Sequence, residues 1–458
     1  MTSKRHLQSA ISLLSLFVAI FAVSVSASAE WKEKVLYSFQ GTPDGLYPIG
    51  ALAFDKAGNL YGATSWGGAD NCPGIGQCGT VYQLQPPAQK GGAWSENELH
   101  IFKGKNSNDG ETPAGGVIFD ASGNLYGTTA YGGSGSCTLL GGLVGCGTVY
   151  KMTPPKTEGN AWTESVVYSF KGGKDGYLPN GDLTFDSAGN LYGATQYGGG
   201  YGSCNSPLYQ YCGTIFKLSP PKTKGGKWTE KVLYSFKSGT DGANPNGGLL
   251  LNSKGAIYGT TAAGGNQNCK YDASVGCGTA FELDPPATTG TSWGEKVLHR
   301  FRGGFGDGQG PNGNLIFDAS ARVFGTTRGG GSAESGTIFQ LGIVKGTKRW
   351  AETIPYSFQG GVDGWAPDGG VVIDPSGNLY GTATVATTKV QGTAFRLQPS
   401  KDNSWVFTTL YGFAGGTDSG NPTGSLILRE SGALFGTANH GGDGPCQGGC
   451  GTVFRVRR

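Results

Sequence analysis

Short runs of aromatic and branched residues recur along the chain, and each run is bounded by Gly, Pro, Asn or Asp. Residues 35–39 (Val-Leu-Tyr-Ser-Phe) and 52–54 (Leu-Ala-Phe) are examples. No segment after residue 30 shows sustained helical periodicity in its apolar positions. Such runs predict short β-strands joined by tight turns. The sequence therefore predicts an all-β protein.

The strand pattern is written seven times after residue 30. Each copy opens with a Trp that stands eight residues before a Phe, and the copies begin near Trp31, Trp94, Trp162, Trp228, Trp293, Trp350 and Trp405. The Phe leads into a turn that contains Asp, followed by a Pro four positions later and a Gly six positions later. An apolar strand, an Asp-x-x-Gly-Asn turn, a Leu-Tyr-Gly-Thr strand, a Gly-rich loop and a Gly-Thr strand complete the unit. Each copy thus supplies four strands.

The spacing of the copies predicts the architecture. Successive Phe landmarks lie 55 to 68 residues apart, a period typical of solenoids and propellers. Four-stranded antiparallel sheets bury both faces and protect their edges when they stack radially. With residues 50–55, 59–64 and 79–84 as the first three strands, residues 94–102 are outermost. The last copy then lacks an outer strand, so we predict a seven-bladed β-propeller over residues 30–458, closed by the N-terminal strand (31–39) joining the last blade.

Residues 1–29 have the features of a secretory signal peptide. Lys4 and Arg5 precede an apolar run over residues 11–25, and residues 27–29 (Ala-Ser-Ala) supply small side chains for cleavage. A retained membrane anchor is the alternative. No other stretch is apolar and long enough to span a bilayer. We therefore predict export, to a periplasm or to the extracellular medium, with no membrane span after signal removal.

Charge argues against one class of partner. The chain has 35 Lys plus Arg and 32 Asp plus Glu, and removal of Lys4 and Arg5 with the signal leaves 33 against 32. No block of basic residues interleaves with aromatic ones, so a nucleic-acid partner is not expected. The 85 Gly residues fall at fixed positions in the repeat, where turns require positive φ.

The ten Cys residues form five local pairs in the same loop of the repeat. The pairs are Cys72/Cys78, Cys137/Cys146, Cys204/Cys212, Cys269/Cys277 and Cys446/Cys450. Copies five and six lack both Cys residues of the pair, as expected if the two residues are bonded to each other. In an exported protein this pattern indicates disulfides, each contributing roughly 2 to 3 kcal/mol by closing a short loop. A metal site requires four converging ligands, and neighbouring pairs belong to different blades.

Two loops of each unit should emerge on one face of the disc. The connection between blades carries Tyr47, Tyr177 and Trp365 just after its turn, and the disulfide loop opens with an aromatic residue or His440 before Gly-Gly, with Ala263 and Arg328 in the corresponding places of two copies. Rings beside carboxylates suit a glycan, because sugar C–H faces stack on rings. Packing of the rings on their own loops explains the pattern without a ligand. The candidate binding residues are Trp66, Tyr131, Tyr197, Trp365, His440, Asp44, Asp175 and Asp363.

The Asp of the connection is present in all seven copies. A ring of carboxylates suggests calcium binding or acid–base chemistry, but an Asp that accepts backbone hydrogen bonds in a turn explains all seven without a ligand. A catalytic carboxylate pair should break the repeat at one or two copies, and we find no such exception. The Asp-x-x-Gly-Asn turns lack the later Glu of a calcium loop and are interpreted as hairpin turns. We predict no metal site, no cofactor and no catalytic residue, with calcium as the one alternative.

Some of these motifs resemble a known family. Residues 123–129 (Gly-Asn-Leu-Tyr-Gly-Thr-Thr), residues 147–150 (Gly-Thr-Val-Tyr) and residues 35–39 are similar to the GloVer-type (Gloeo_Verruco) tandem repeats of exported bacterial proteins, over residues 31–458. The resemblance implies export and a propeller, and the family has no agreed activity.

Three functions remain open from the sequence. The leading hypothesis is a non-enzymatic binding or scaffold module whose partner is an extracellular glycan or a cell-surface protein. The first alternative is a carbohydrate-active enzyme, a lyase or glycoside hydrolase, on the same scaffold. The second is a purely structural cell-surface protein.

Overall fold

A computed structural model describes residues 30–68, 72, 77–138, 144–157, 159–200, 212–265, 269, 275–288, 291–384, 390–402 and 404–458. The predicted signal segment and Cys204 lie outside these residues. The described chain forms seven antiparallel sheets, which we number as blades in chain order. The prediction of an all-β protein is confirmed, since the helices within this part are two single turns of 3-10 helix at Lys105–Ser107 and Gly173–Asp175.

Each blade runs from an inner strand near the axis to an outer strand. Blade 1 contains β2 (Leu46–Phe54), β3 (Leu60–Trp66), β4 (Thr80–Gln85) and β5 (Ser95–Ile101). Blade 2 contains a divided inner strand, β6 (Gly110–Pro113) and β7 (Ile118–Phe119), then β8 (Leu125–Gly132), β9 (Thr148–Thr153) and β10 (Thr163–Ser169). Blade 3 contains β11 (Tyr177–Phe185), β12 (Leu191–Tyr197), β13 (Thr214–Ser219) and β14 (Thr229–Ser235). Blade 4 contains β15 (Ala243–Leu251), β16 (Ile257–Ala263), β17 (Thr279–Asp284) and β18 (Gly294–Arg300).

The last three blades follow the same order. Blade 5 contains β19 (Gly308–Phe317), β20 (Val323–Gly330), β21 (Thr337–Ile343) and β22 (Trp350–Ser357). Blade 6 contains β23 (Val371–Ile373), β24 (Leu379–Ala383), β25 (Thr393–Pro399) and β26 (Trp405–Gly412). Blade 7 contains β27 (Ser419–Pro422), β28 (Ile427–Leu428), β29 (Leu434–Gly441), β30 (Thr452–Arg457) and, as its outer strand, β1 (Lys32–Ser38).

The two ends of the described chain meet in blade 7. Strand β1 pairs antiparallel with β30, in a register that sets Lys32 opposite Arg457 and Ser38 opposite Thr452. The inner strand of blade 1 also contacts blade 7, through β2 and β29. The ring is therefore closed, and the predicted exchange of the N-terminal strand is confirmed.

The inner strands begin earlier than the sequence indicates. Strand β2 starts at Leu46 and continues through Pro48, which pairs with Thr64, and its register shifts between Ile49 and Ala53. The Pro is tolerated because its missing N–H falls beside this irregularity. Tyr47 and Tyr177 consequently belong to inner strands and not to the connections before them.

The Trp and Phe landmarks hold neighbouring blades together. Phe170, at the end of the outer strand of blade 2, is fully buried, and its ring centroid lies 5.0 Å from that of Phe216 in blade 3. Trp162, at the start of the same strand, lies 5.8 Å from Tyr61 in blade 1. The outer strand thus contacts the blade on each side. Burial of each such ring is worth roughly 1.5 to 3 kcal/mol.

The disulfide loops also contact the following blade. Four of the predicted bonds are present, Cys72–Cys78, Cys137–Cys146, Cys269–Cys277 and Cys446–Cys450. The carbonyl of Cys450 accepts a hydrogen bond from the backbone N–H of Tyr47 (3.1 Å), and Cys78 accepts one from Thr112 (2.8 Å). The loops therefore join blades as well as closing on themselves. The bond between Cys204 and Cys212 stays a prediction.

The glycine six positions after each connection Asp lies where the inner strands meet. A Cβ atom built at Gly247 would overlap the carbonyl of Gly313, and one at Gly424 would overlap the carbonyl of Gly50. Across this ring Asn314 Nδ2 donates to Asp182 Oδ2 at 2.7 Å, joining blade 5 to blade 3. The backbones of neighbouring inner strands are therefore in close contact at this level. No helix in the described ranges has the length and apolar character needed to cross a membrane.

Candidate functional site

Four of the predicted residues lie at one position of the repeat, the end of the second strand of a blade. We call this side of the disc the aromatic face. The residues at this position, each with its inner-strand partner, are Trp66 with Leu46, Tyr131 with Glu111, Tyr197 with Tyr177, and His440 with Gly420. The structure therefore brings four of the predicted residues to one face, on blades 7, 1, 2 and 3.

Three rings form a cluster where blade 7 meets blade 1. Tyr47 lies between Trp66, with ring centroids 5.9 Å apart, and His440, with centroids 5.6 Å apart. Tyr47 has a φ of 58°, a left-handed conformation that is uncommon for a bulky residue. Trp66 is 39% exposed. Tyr47 was not among the eight candidates, although its place after the connection turn was a usable signal.

The other rings differ in how much surface they offer. Tyr177 is buried and its ring lies 5.3 Å from that of Tyr197 on the same hairpin, as the packing explanation predicts. Tyr131 is half-buried beside Glu111, and burial is the first cause of the raised pKa of its hydroxyl. Trp365, on blade 6, is 48% exposed. Among the predicted ring residues, Trp66 and Trp365 therefore offer the most surface for a ligand.

Blades 4 and 5 interrupt the row of rings. On blade 4 the paired residues are Ala243 and Ala263. On blade 5 the pair is Gln309 and Gly329, so the prediction that Arg328 corresponds to the ring position is wrong by one residue. Three consecutive Gly residues follow Arg328, and a Gly-Gly pattern cannot distinguish which two form the turn.

A row of amides crosses this gap close to the axis. Asn180 Nδ2 donates to Asn246 Oδ1 at 2.7 Å, Asn246 Nδ2 donates to Asn312 Oδ1 at 2.6 Å, and Asn312 Nδ2 donates to Asp368 Oδ1 at 3.0 Å. Arg328 Nε lies 2.9 Å from the same Asp368 oxygen. Sequence reasoning missed this amide row. Its signal was the residue between the Pro and Gly landmarks, which is Asn or Asp in blades 3 to 6 only.

The connection aspartates are engaged by their own turns. Tyr37 donates its hydroxyl to Asp44 Oδ2 (3.1 Å), and the N–H of Gln40 donates to the same oxygen (2.7 Å). Asp175 and Asp363 accept equivalent pairs of hydrogen bonds from a Tyr hydroxyl and a backbone N–H. This geometry is what the turn explanation of the repeated Asp predicts. A role of Asp44, Asp175 and Asp363 in ligand binding stays a prediction.

Histidine replaces this tyrosine in two blades. His100 Nε2 lies 3.0 Å from Asp109 Oδ2, and His299 Nε2 lies 3.1 Å from Asp307 Oδ1. Glu164 and Glu352 complete the clusters, whose ligand atoms lie within 4.8 Å of one another. An imidazole with two carboxylates is a donor set that zinc accepts. Because a Tyr makes the same hydrogen bond to Asp in the other blades, hydrogen bonding accounts for both clusters without an ion.

A half-buried Glu of the outer strand approaches the connection Asp at six blade junctions. Burial, with the nearby aspartate charge as a further cause, raises the pKa of Glu33 and Glu352 to about 8. The same causes raise the pKa to about 7 at four more, Glu96, Glu164, Glu230 and Glu295. At the seventh junction Phe407 takes this place and stacks on Tyr356, with ring centroids 4.0 Å apart.

These glutamates predict that the protein loses stability as pH rises. A carboxyl whose pKa is raised in the fold holds a proton that the unfolded chain releases, so stability is fully present below about pH 4.5 and falls as pH rises through about 7 to 8. We expect a melting temperature several degrees higher at pH 5.5 than at pH 8.5, measured by circular dichroism. Glu352→Gln should reduce this difference in melting temperature, whereas Glu430→Gln, at an exposed position, should not. An equal or higher melting temperature at pH 8.5 would contradict the prediction.

Comparison with known proteins identifies one family. A family model described as the Gloeobacter/Verrucomicrobia repeat matches residues 19–203, 136–347 and 269–458. A search of curated proteins found no match.

Several solved structures are similar at low identity. A glucose dehydrogenase is 16% identical with a TM-score of 0.45, covering 93% of this chain and 99% of its own. PhoX of Pseudomonas fluorescens, in complex with vanadate, is 11% identical with a TM-score of 0.43, covering 94% and 95%. A Trichoderma reesei enzyme of carbohydrate-active family AA12 is 12% identical with a TM-score of 0.41, covering 94% and 96%. Likeness at this level does not indicate a shared activity.

Proposed function

The chain belongs to the Gloeobacter/Verrucomicrobia repeat family, and we propose that after export it binds extracellular polysaccharide on its aromatic face, without catalysing a reaction. The observation that carries the proposal is the exposure of Trp66 and Trp365 at repeat positions where the described side chains of the other blades are less exposed. The Phe that follows each outer strand and packs between blades is by contrast fully buried, as Phe170 is. Trp side chains are enriched at binding interfaces, so an exposed Trp at a variable position of a regular repeat favours contact with a ligand.

The chemistry of the face suits a sugar chain. The C–H face of a pyranose stacks on indole and phenol rings, and its hydroxyls require hydrogen-bonding groups beside them. Trp66 and Tyr47 supply rings on blade 1 and Trp365 supplies one on blade 6, with blade 7 between them. The amide row from Asn180 to Asp368 supplies donors and acceptors along blades 3 to 6. A chain crossing the face would meet both kinds of group.

Binding fits the side chains better than catalysis does. Glycoside hydrolysis requires two carboxyls that reach the substrate. In the described part of the chain, each connection Asp already accepts hydrogen bonds from its turn. The carboxyl of Glu111, beside Tyr131, is fully buried.

The disulfide bonds of this chain support the export step of the proposal, because such bonds are stable in the oxidising compartments that an exported protein enters.

The test is a binding screen of residues 30–458 against neutral and acidic polysaccharides, followed by titration of oligosaccharides. We expect Trp66→Ala and Trp365→Ala each to weaken binding by about tenfold, since loss of a stacked ring costs about 1 to 2 kcal/mol. Ile343→Ala is the matched control, because Ile343 is exposed but lies at the far end of the third strand of blade 5.

Two results would overturn the proposal. The first is binding that neither Trp variant changes. The second is release of shortened or unsaturated products during the titration, which would favour the carbohydrate-active enzyme. Failure of every soluble ligand to raise the melting temperature would favour a purely structural protein.

A further inference from the structure

Blade 7 departs from the repeat on the side of the disc opposite the aromatic face. In blade 6 the hairpin between the first two strands starts with Asp374, which accepts hydrogen bonds from Asn378 (2.7 Å) and Tyr380 (3.1 Å). In blade 7 the corresponding residues are Arg429, Ala433 and Phe435. The carboxylate and both of its donors are therefore replaced together in this blade.

A cavity of about 410 Å³ lies beside this hairpin, between blades 6 and 7. Its lining includes Trp31, Tyr380 and four arginines, Arg396, Arg455, Arg457 and Arg458, and contains no carboxylate side chain. The equivalent cavity between blades 5 and 6, of about 360 Å³, is lined by Asp318 and Asp374. Its arginine, Arg322, donates to Asp318 at 2.6 Å. The cavity at blade 7 thus holds positive charge that no carboxylate side chain in its lining neutralises. In the neighbouring cavity, the arginine is paired with Asp318.

The inner arginines of the cavity are unpaired. Arg396 and Arg455 occupy the same position of successive third strands, opposite Tyr380 and Phe435. The Nε atom of each is buried without a hydrogen-bond partner, and among the described residues none of the four arginines forms an ion pair. Burial, together with the charge of Arg457, lowers the pKa of Arg455. Both arginines are half-buried, and a partly desolvated guanidinium without an anion beside it is unfavourable for a fold.

In blade 3, Lys217 occupies the position equivalent to that of Arg396 and shows how a basic side chain is paired there. It stands opposite Tyr192 in blade 3, as Arg396 stands opposite Tyr380 in blade 6. Its ammonium lies 4.0 Å from Asp186, the hairpin carboxylate of its own blade. A basic residue here is therefore paired with its own hairpin carboxylate in blade 3, whereas blade 7 lacks that carboxylate and the described residues show no ion pair between Arg396 and Asp374 in blade 6.

We propose that the cavity between blades 6 and 7 binds an acidic sugar residue, with its carboxylate held by Arg396 and Arg455. Guanidinium groups bind oxyanions through paired N–H donors. A volume of this size accommodates a small organic ligand and exceeds what a bare ion needs. The half-buried Trp31 offers ring surface to the sugar beside Arg458, whose guanidinium carbon lies 5.9 Å from the ring centroid, and the exposed Arg457 adds positive charge. This inference does not depend on the aromatic face, which lies on the other side of the disc.

The experiment titrates tetragalacturonate into residues 30–458 by isothermal calorimetry, with cellotetraose as the neutral probe and inorganic phosphate as the bare anion. Tetragalacturonate should bind, and added salt should weaken it. Arg396→Gln and Arg455→Gln should each weaken binding by at least tenfold. Lys217→Gln should leave the affinity unchanged and serves as the matched control. Circular dichroism melts of each variant establish that the fold is intact.

The outcomes separate this site from the aromatic face. Loss of tetragalacturonate binding in the arginine variants, with retention in Trp66→Ala, supports the cavity. Loss in Trp66→Ala with retention in both arginine variants overturns it and leaves the aromatic face as the site. The proposal is also overturned if phosphate binds as tightly as tetragalacturonate, or if tetragalacturonate does not bind.

Discussion

Removal of residues 30–39 should abolish cooperative folding of the protein. These residues include β1, the outer strand of blade 7, and without it β30 would present an unpaired edge to solvent. Phe39 is fully buried and its ring lies 5.0 Å from that of Tyr82 in blade 1. The deletion therefore removes a strand ladder and the contact that joins the last blade to the first. We expect residues 40–458 to show no sharp thermal transition and to be cleaved rapidly by protease.

A circular permutant is the matched control for this deletion. Lys32 pairs with Arg457, so the missing strand can be attached after Arg458 through a hairpin loop. The linker of blade 3, residues 220–227, joins the same two strand positions in its own blade. The permutant should regain a melting temperature close to that of the parent protein. A sharp transition of the truncated chain within a few degrees of the parent would show that the closing strand is dispensable.

The closure was predictable because it follows from counting strands in a regular repeat. A residue that is the same in all seven copies predicts an element of the fold directly. The Trp that begins each outer strand is an example. The turn role of Asp44 was also predictable, since one Asp present in every blade indicates a shared local need. Both inferences depend on short-range rules of strand and turn formation.

The binding features were less predictable because they depend on contacts between blades. The hydrogen bonds from Asn180 to Asn246 join residues 66 positions apart, and no local pattern reveals that these amides meet. The raised pKa of Glu352 arises from burial against Asp307 of the preceding connection. The unpaired charge of Arg455 is visible only when the cavity lining is known. In each case the property belongs to a junction and not to one repeat.

Replacement of Gly247 by alanine should be among the most destabilising single substitutions in the ring. Gly247 has a φ of 80°, and a Cβ atom there would overlap the carbonyl group of Gly313 in the next blade. The opposing atoms are backbone, so the clash is relieved only by separating the inner strands. Left-handed strain of about 1 to 2 kcal/mol adds to an overpacking cost of about 1 to 3 kcal/mol. We expect a loss of about 3 kcal/mol or more, seen as a large fall in the thermal midpoint.

Gly255 separates the steric cost from the backbone strain. It lies in the same blade with a φ of 81°, and a Cβ atom built there has no neighbour within 4 Å. Gly255→Ala should therefore show the left-handed strain alone, about 1 to 2 kcal/mol, and Gly247→Ala should exceed it clearly. Equal shifts for the two variants would mean that the inner strands can move apart at little cost.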